Sequence, residues 1–172
     1  MNVKYLIPFI EAAHEVIFAE AGCKMERGSL SLDKGPYKTH EVTVVLSLVG
    51  DVSGTVFYSM DIQTALNIVS GILGMDIPEF NALAQSGVAE LGNVITGRAS
   101  VKLSQAGYEA TISPPTLMIG KEATISTLDR PRLVVPLNGE VGSLLIQLAL
   151  METSITGMTA DQIPVPEAPH PD

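Results

Sequence analysis

Ser86-Gly87-Val88-Ala89-Glu90-Leu91-Gly92-Asn93-Val94-Ile95-Thr96-Gly97-Arg98-Ala99-Ser100 reads as the middle of a long helix. Periodicity places that helix over residues 79–106, with Gly107 as its stop. At about 100° per residue, Leu83, Val88, Leu91, Val94, Ile95 and Val101 are assigned to one side, which is expected to meet a sheet. The opposite side is expected to carry Ser86, Ala89, Glu90, Asn93, Gly97, Ser100 and Ser104, with Glu90 as its only charge. An ordinary solvated face would be rich in Lys and Glu. Instead Gly92, Asn93, Gly97 and Ser100 each lower helix propensity, a glycine by about 1 kcal/mol relative to alanine. Small groups let another molecule come close and leave Glu90 and Asn93 as the projecting side chains. Taken alone, Glu-x-x-Asn reads as an incidental surface pair, because so short a pattern recurs by chance. Arg98 is placed on the apolar arc, its stem on the core and its head paired.

Before this helix, residues 4–21 have the spacing of an amphipathic helix closed by Gly22, and residues 27–38 read as a loop with one short edge strand. A hairpin follows, from Glu41–Val49 through Gly50-Asp51-Val52-Ser53-Gly54 to Thr55–Met60. Residues 61–73 form a second helix between Asp61 as N-cap and Gly74. Beyond the long helix come short strands around 108–113 and 117–126. A second hairpin then turns through Asn138-Gly139-Glu140-Val141-Gly142. The shared Gly-Asp/Glu-Val turns indicate an internal duplication of a helix-plus-hairpin unit.

Composition narrows the function. The 172 residues are 46% hydrophobic, enough for one sizeable core, so one domain over 1–154 is expected. Residues 155–172 carry Pro164, Pro166, Pro169 and Pro171 and read as a disordered tail. A net charge of −9, with no two basic residues adjacent, argues against nucleic acid. The lone Cys23 gives no disulfide or cysteine metal cluster and reads as a small hydrophobe. Neither end looks like a signal peptide or a membrane span, and a cytoplasmic setting is expected.

Ser86, Glu90, Asn93 and a later proline follow [Asp/Ser]-x-x-x-Glu-x-x-Asn…Pro, a pattern that resembles the CheC/CheX/FliY family of chemotaxis phosphatases. Pro115 takes the proline position here, with Pro114 as the other candidate. Glu90–Ser100, Pro114-Pro115-Thr116, Gly120 and the N-terminal Pro8-Phe9-Ile10-Glu11-Ala12 make the resemblance nearest to the CheX type. The fold expected is then α/β, an antiparallel pseudo-duplicated sheet with long helices covering one face. CheC-type members resemble two-site proteins with a second Glu-x-x-Asn on the first helix. Here that helix offers Glu11-Ala12-Ala13-His14, and His14 is read as a satisfied helix histidine. The FliY type resembles a longer protein with an added docking domain.

The resemblance implies a substrate, the aspartyl phosphate of a CheY-like response-regulator receiver, and a homodimer as the working form. Such a receiver brings its own Mg²⁺ and lysine, so no cofactor or metal is expected in this chain. What is missing is a water held in line with the P–O bond, and positioning alone can supply much of the catalysis. Asn93 is expected to orient that water and Glu90 to pair with the receiver lysine. Ser86, Gly97, Ser100 and Pro115 are expected to touch the partner. The alternatives are a non-catalytic receiver-binding adaptor using the same helix face, or a structural part of the flagellar switch. No Gly-x-Ser-x-Gly, Walker loop or His-Glu-x-x-His offers rival chemistry.

Overall fold

Local signals decide most elements in the computed structural model, which describes residues 3–127 and 130–153. The 155–172 tail lies outside the described residues. A 3₁₀ turn at Val3–Tyr5 leads into α1, Leu6–Ala21. That helix stops where Gly22 turns left-handed (φ 67°) and gives its N–H to Phe18 O. Three short strands follow where one was expected: β1 (Met25–Arg27), β2 (Ser31–Asp33) and β3 (Tyr37–Lys38). The hairpin of β4 (Val42–Gly50) and β5 (Val52–Met60) turns at Asp51 alone, so Val52-Ser53-Gly54 belongs to the strand rather than to the turn. Next is α2, Ile62–Leu73, whose N-cap Asp61 accepts the Thr64 N–H at 2.6 Å.

The long helix α3 runs Ala82–Gln105. It starts later than residue 79 because Asn81 is extended and its Oδ1 accepts the N–H groups of Leu83 and Ala84. Beyond it lie β6 (Ala110–Ile112), β7 (Thr116–Ile119) and β8 (Thr124–Ile125). The single strand expected over 117–126 is divided, because Gly120 and Glu122 both adopt positive φ and bend the chain. The second hairpin, β9 (Arg132–Gly139) and β10 (Gly142–Glu152), closes the sequence of elements.

The strands join in the order β1-β9-β10-β5-β4-β6, with β2 also on β9 and β7 also on β4, all antiparallel. The expected duplication therefore has a definite form. The run α1-β1-β2-β3-β4-β5 repeats as α3-β6-β7-β8-β9-β10, with α2 between them. Register repeats too: Met25 faces Gly139 as Ala110 faces Gly50, and Ser31 faces Val134 as Thr116 faces Val45. So do two bridging bonds, Gly28 N–H to Pro136 O and Ser113 N–H to Ser47 O. A pseudo-dyad passes between Phe57 and Gln147, which face each other across the central β5–β10 pair. Each half lays its short strands on the hairpin of the other half, and β3 pairs with β8.

Alternation along the strands divides the sheet into two faces. Val44, Leu46, Tyr58, Val135 and Ile146 join Phe9, Ile17, Ile68, Val88 and Ile95 in one core, so the helices cover one face, as expected. Across the sheet, the Tyr37 ring lies 5.0 Å from that of Phe57, and its hydroxyl bonds Thr43 and Ser59. Arg132, fully buried, donates to Asp33 Oδ2 (2.6 Å), Gly35 O (2.6 Å) and Gln147 Oε1 (3.1 Å). This clasp fixes the β2–β3 connection against the sheet.

Candidate active site

α3 is held firmly over the sheet. Its buried line is Ala84, Val88, Leu91, Gly92, Ile95, Thr96, Ala99 and Leu103. A methyl group at Gly92 would lie 2.8 Å from Val44 Cγ1, so the glycine allows the helix backbone to sit down on β4. Thr96 Oγ1 donates to Gly92 O (2.7 Å) and shares a 2.8 Å hydrogen bond with the buried Tyr58 hydroxyl. These contacts seat the buried line on the sheet and leave the residues opposite it facing outward.

Glu90 is exposed and Asn93 half-buried on that outer side. Asn93 Nδ2 donates to Glu90 Oε2 at 3.4 Å, the long end of the hydrogen-bond range. The two groups thus point the same way, with the Asn93 carbonyl oxygen taking no hydrogen bond among the described residues. Ser86 is exposed about one turn before Glu90, and Gly97 lies one turn after Asn93. Ser100 is different: its hydroxyl donates to Ala110 O at 2.8 Å and ties β6 to the helix. Pro115 is half-buried and Pro114 exposed in the link between β6 and β7. Neither proline can donate to the ladder, which suits an edge link. Ser113 secures that link, its Oγ accepting the Ser47 N–H at 2.9 Å.

Several residues sit elsewhere than the sequence indicated. Leu83, Val94 and Val101 do not meet the sheet; they are 50%, 37% and 55% exposed. Smaller residues, Ala84, Gly92 and Ala99, face the sheet in their place and allow close packing. Leu83, Glu90 and Gly97 are seven residues apart, as are Val94 and Val101, so all five share one outer line. The heptad spacing from Glu90 is the signal that could have found them. Arg98 is exposed, not on the apolar arc, although its head is paired as expected, with Glu15 at 3.5 Å.

The first helix offers no matching site. Glu11 and Glu15 face Lys102 of α3 at 3.2 and 2.7 Å, and the Lys102 hydrogen bond holds the Glu15 carboxyl below its ordinary range. His14 is not the satisfied histidine expected. Its Nε2 is buried without a partner among the described residues, where α1 passes over β1 beside Phe18 and Met25. Cys23 is half-buried and its thiol donates to Ala21 O at 3.2 Å. Among the described residues, no three His, Cys, Asp or Glu side chains are grouped to hold a metal, and no helix is long and apolar enough to cross a membrane.

Chemically, the pair is a carboxylate acceptor and an amide on the outer face of a helix, and neither lines the cavities beside Gly22 and Lys24, His14 and Phe18, Ser31 and Lys38, or Ser126 and Arg130. Small substrates need concave sites that surround them.

The fold itself defines a class. A CheC-like superfamily protein from a Shewanella species (PV-4) is similar to this chain with a TM-score of 0.80 and 25% identity, over 88% of this chain and 99% of that one. A family model described as "Chemotaxis phosphatase CheX" matches residues 42–138, more than half of the chain. The chain belongs to that family, and is a phosphatase by that membership. It is 29% identical over 128 residues to the CheY-P phosphatase CheX of Thermotoga maritima, covering 74% of this chain and 83% of the relative. It is also similar to the structure of a CheX-CheY-BeF3-Mg²⁺ complex from Borrelia burgdorferi, with a TM-score of 0.74 and 27% identity, over 88% and 100% of the two chains.

Proposed function

We propose that this chain hydrolyses the aspartyl phosphate of a CheY-type receiver, with Asn93 and Glu90 entering the receiver's site from above. The observation that carries this reading is the Glu90–Asn93 pair standing together on the outer face of α3, joined by the 3.4 Å hydrogen bond. An acyl phosphate is already activated, and Mg²⁺ is expected in the receiver's own site. The Asn93 carboxamide would accept a hydrogen bond from water through Oδ1 and donate through Nδ2 toward phosphate. Glu90 would pair with the receiver lysine and fix the register. Positioning of this kind supplies a large share of phosphoryl-transfer catalysis. Ser86 and Gly97 extend the contact face, while Ser100 and Pro115 shape its flank through β6 and the β6–β7 link.

A homodimer in the cytoplasm belongs to the same proposal. Among the described residues β7 pairs with β4 alone, and its outer edge with the exposed Ile119 is a surface suited to strand pairing with a second copy.

The test is single-turnover dephosphorylation beside a binding titration with the receiver held by beryllofluoride and Mg²⁺. Asn93→Ala should slow turnover by roughly 10²-fold or more with binding nearly unchanged. Glu90→Ala should weaken both. Wild-type turnover in Asn93→Ala would remove the catalytic assignment and leave a receiver-binding adaptor.

A further inference from the structure

We infer that Tyr58 and Thr96 are positioning residues for Asn93: a buried chain of hydrogen bonds holds the peptide plane to which Asn93 is attached. For its catalytic meaning this rests on the phosphatase reading above. Tyr58 lies in β5 at the centre of the sheet, paired with Val44 on one side and Ile146 on the other. Its hydroxyl shares the 2.8 Å bond with Thr96 Oγ1, which donates its one proton to Gly92 O at 2.7 Å. Tyr58 is therefore the donor, and the order is Tyr58 O–H to Thr96 Oγ1–H to Gly92 O. That carbonyl and the Asn93 N–H belong to one rigid peptide plane. Asn93 acts by orienting a water, and a misplacement of about 1 Å can slow such a step by about 10²-fold. Glu90 meets a partner charge through a longer side chain, which can follow a small shift of the helix.

The duplication supplies the comparison. The pairs Tyr58–Ile146 and Val56–Leu148 are images of each other across the pseudo-dyad, so Leu148 stands where Tyr58 does. The buried spacing 9, 12, 13, 16, 17 of α1 matches 88, 91, 92, 95, 96 of α3. That match puts Ile17 at the place of Thr96, and Glu11 and His14 at those of Glu90 and Asn93. Where the helix carries no Glu-x-x-Asn pair, both places are thus taken by fully buried aliphatic side chains, Ile17 and Leu148. Packing alone has no need of the two hydroxyls. An apolar pair of the same shape is nearly neutral or stabilising, and a threonine bonded back to the carbonyl four residues earlier weakens a helix. The polar chain stands only at the place that lies beneath Asn93.

The experiment compares the double variant Tyr58→Phe/Thr96→Val, Thr96→Ser and Ile17→Val with the wild-type chain. Single-turnover dephosphorylation of the CheY-type receiver from the same organism gives the rate. Titration with that receiver held by beryllofluoride and Mg²⁺ gives Kd. The double variant should slow turnover by about tenfold with Kd held within about twofold. Thr96→Ser, which keeps the hydroxyl, should turn over at nearly the wild-type rate, as should Ile17→Val at the matching place of α1. The ¹⁵N–¹H signals of the Asn93 amides should move in the double variant and stay in Thr96→Ser. Melting temperatures identify a variant that fails to fold, and Tyr58→Phe alone, which leaves Thr96 bonded to Gly92 O, then takes its place. Wild-type turnover in the folded variant, or turnover and Kd lost together, overturns the positioning role and leaves the phosphatase reading standing. Unmoved Asn93 signals overturn it whatever the activity. Wild-type turnover in Asn93→Ala ends the catalytic reading instead, and the positioning role with it.

Discussion

Glycine substitutions within α3 separate residues kept for the fold from those kept for a partner. Gly97→Ala should stabilise the chain by about 1 kcal/mol, because it restores helix propensity without a clash. Gly92→Ala should cost about 1–3 kcal/mol, because Val44 and Tyr58 must yield. Urea unfolding of the two variants would show opposite shifts in midpoint. Cys23→Ser should leave phosphoryl turnover unchanged, since the thiol only caps a carbonyl two residues back. Glu90 and Asn93 are legible in the sequence because a polar pair set among small groups matches neither a core face nor an ordinary solvated one. Leu83, Val94 and Val101 escape a reading that assigns every aliphatic residue of a helix to the core, whichever line it shares. The bond from Ser100 to Ala110 depends on where β6 lies, and no local pattern carries that.

Caps decide where α2 and α3 begin. Asn81→Ala removes the acceptor for two N–H groups at the start of α3 and should cost about 1 kcal/mol, read as a drop in melting temperature. The same loss is expected for Asp61→Ala at α2. The three helices and two hairpins are readable because each carries its own period, cap or turn residue. β1, β2, β3 and β8 are not. Strands of two or three residues are too short to show alternation, and they exist because β9 or each other supplies the ladder. The seam between β7 and β8 is hidden for a different reason: Glu122 adopts a left-handed φ that glutamate seldom takes, and nothing in its side chain announces it.

For the molecule as a whole, the Arg132 clasp couples the β2–β3 connection to the sheet. Arg132→Ala leaves Gln147 and the Gly35 carbonyl short of a partner and should cost about 3 kcal/mol by chemical denaturation. Asp33 is held below the usual carboxylate range, first by the Gly35 N–H and then by Arg132. Its folded pKa is the lower one, so its contribution is complete above the unfolded value of about 3.9 and is lost as pH falls through the folded value. Asp33→Asn should therefore flatten the acid side of the stability profile, and an unchanged acid limb would show the clasp to be idle. The exchange of short strands between the halves reaches further still. Most of the ladder joins residues remote in sequence, so folding should be slow and all-or-none. Cutting the backbone between α2 and α3 would yield two fragments, each with an incomplete sheet. Neither should hold structure alone, while mixing them should rebuild one molecule. A chain of half this length could complete its strands only with a twin, so the architecture is that of two twins made inseparable by the single tether of α2.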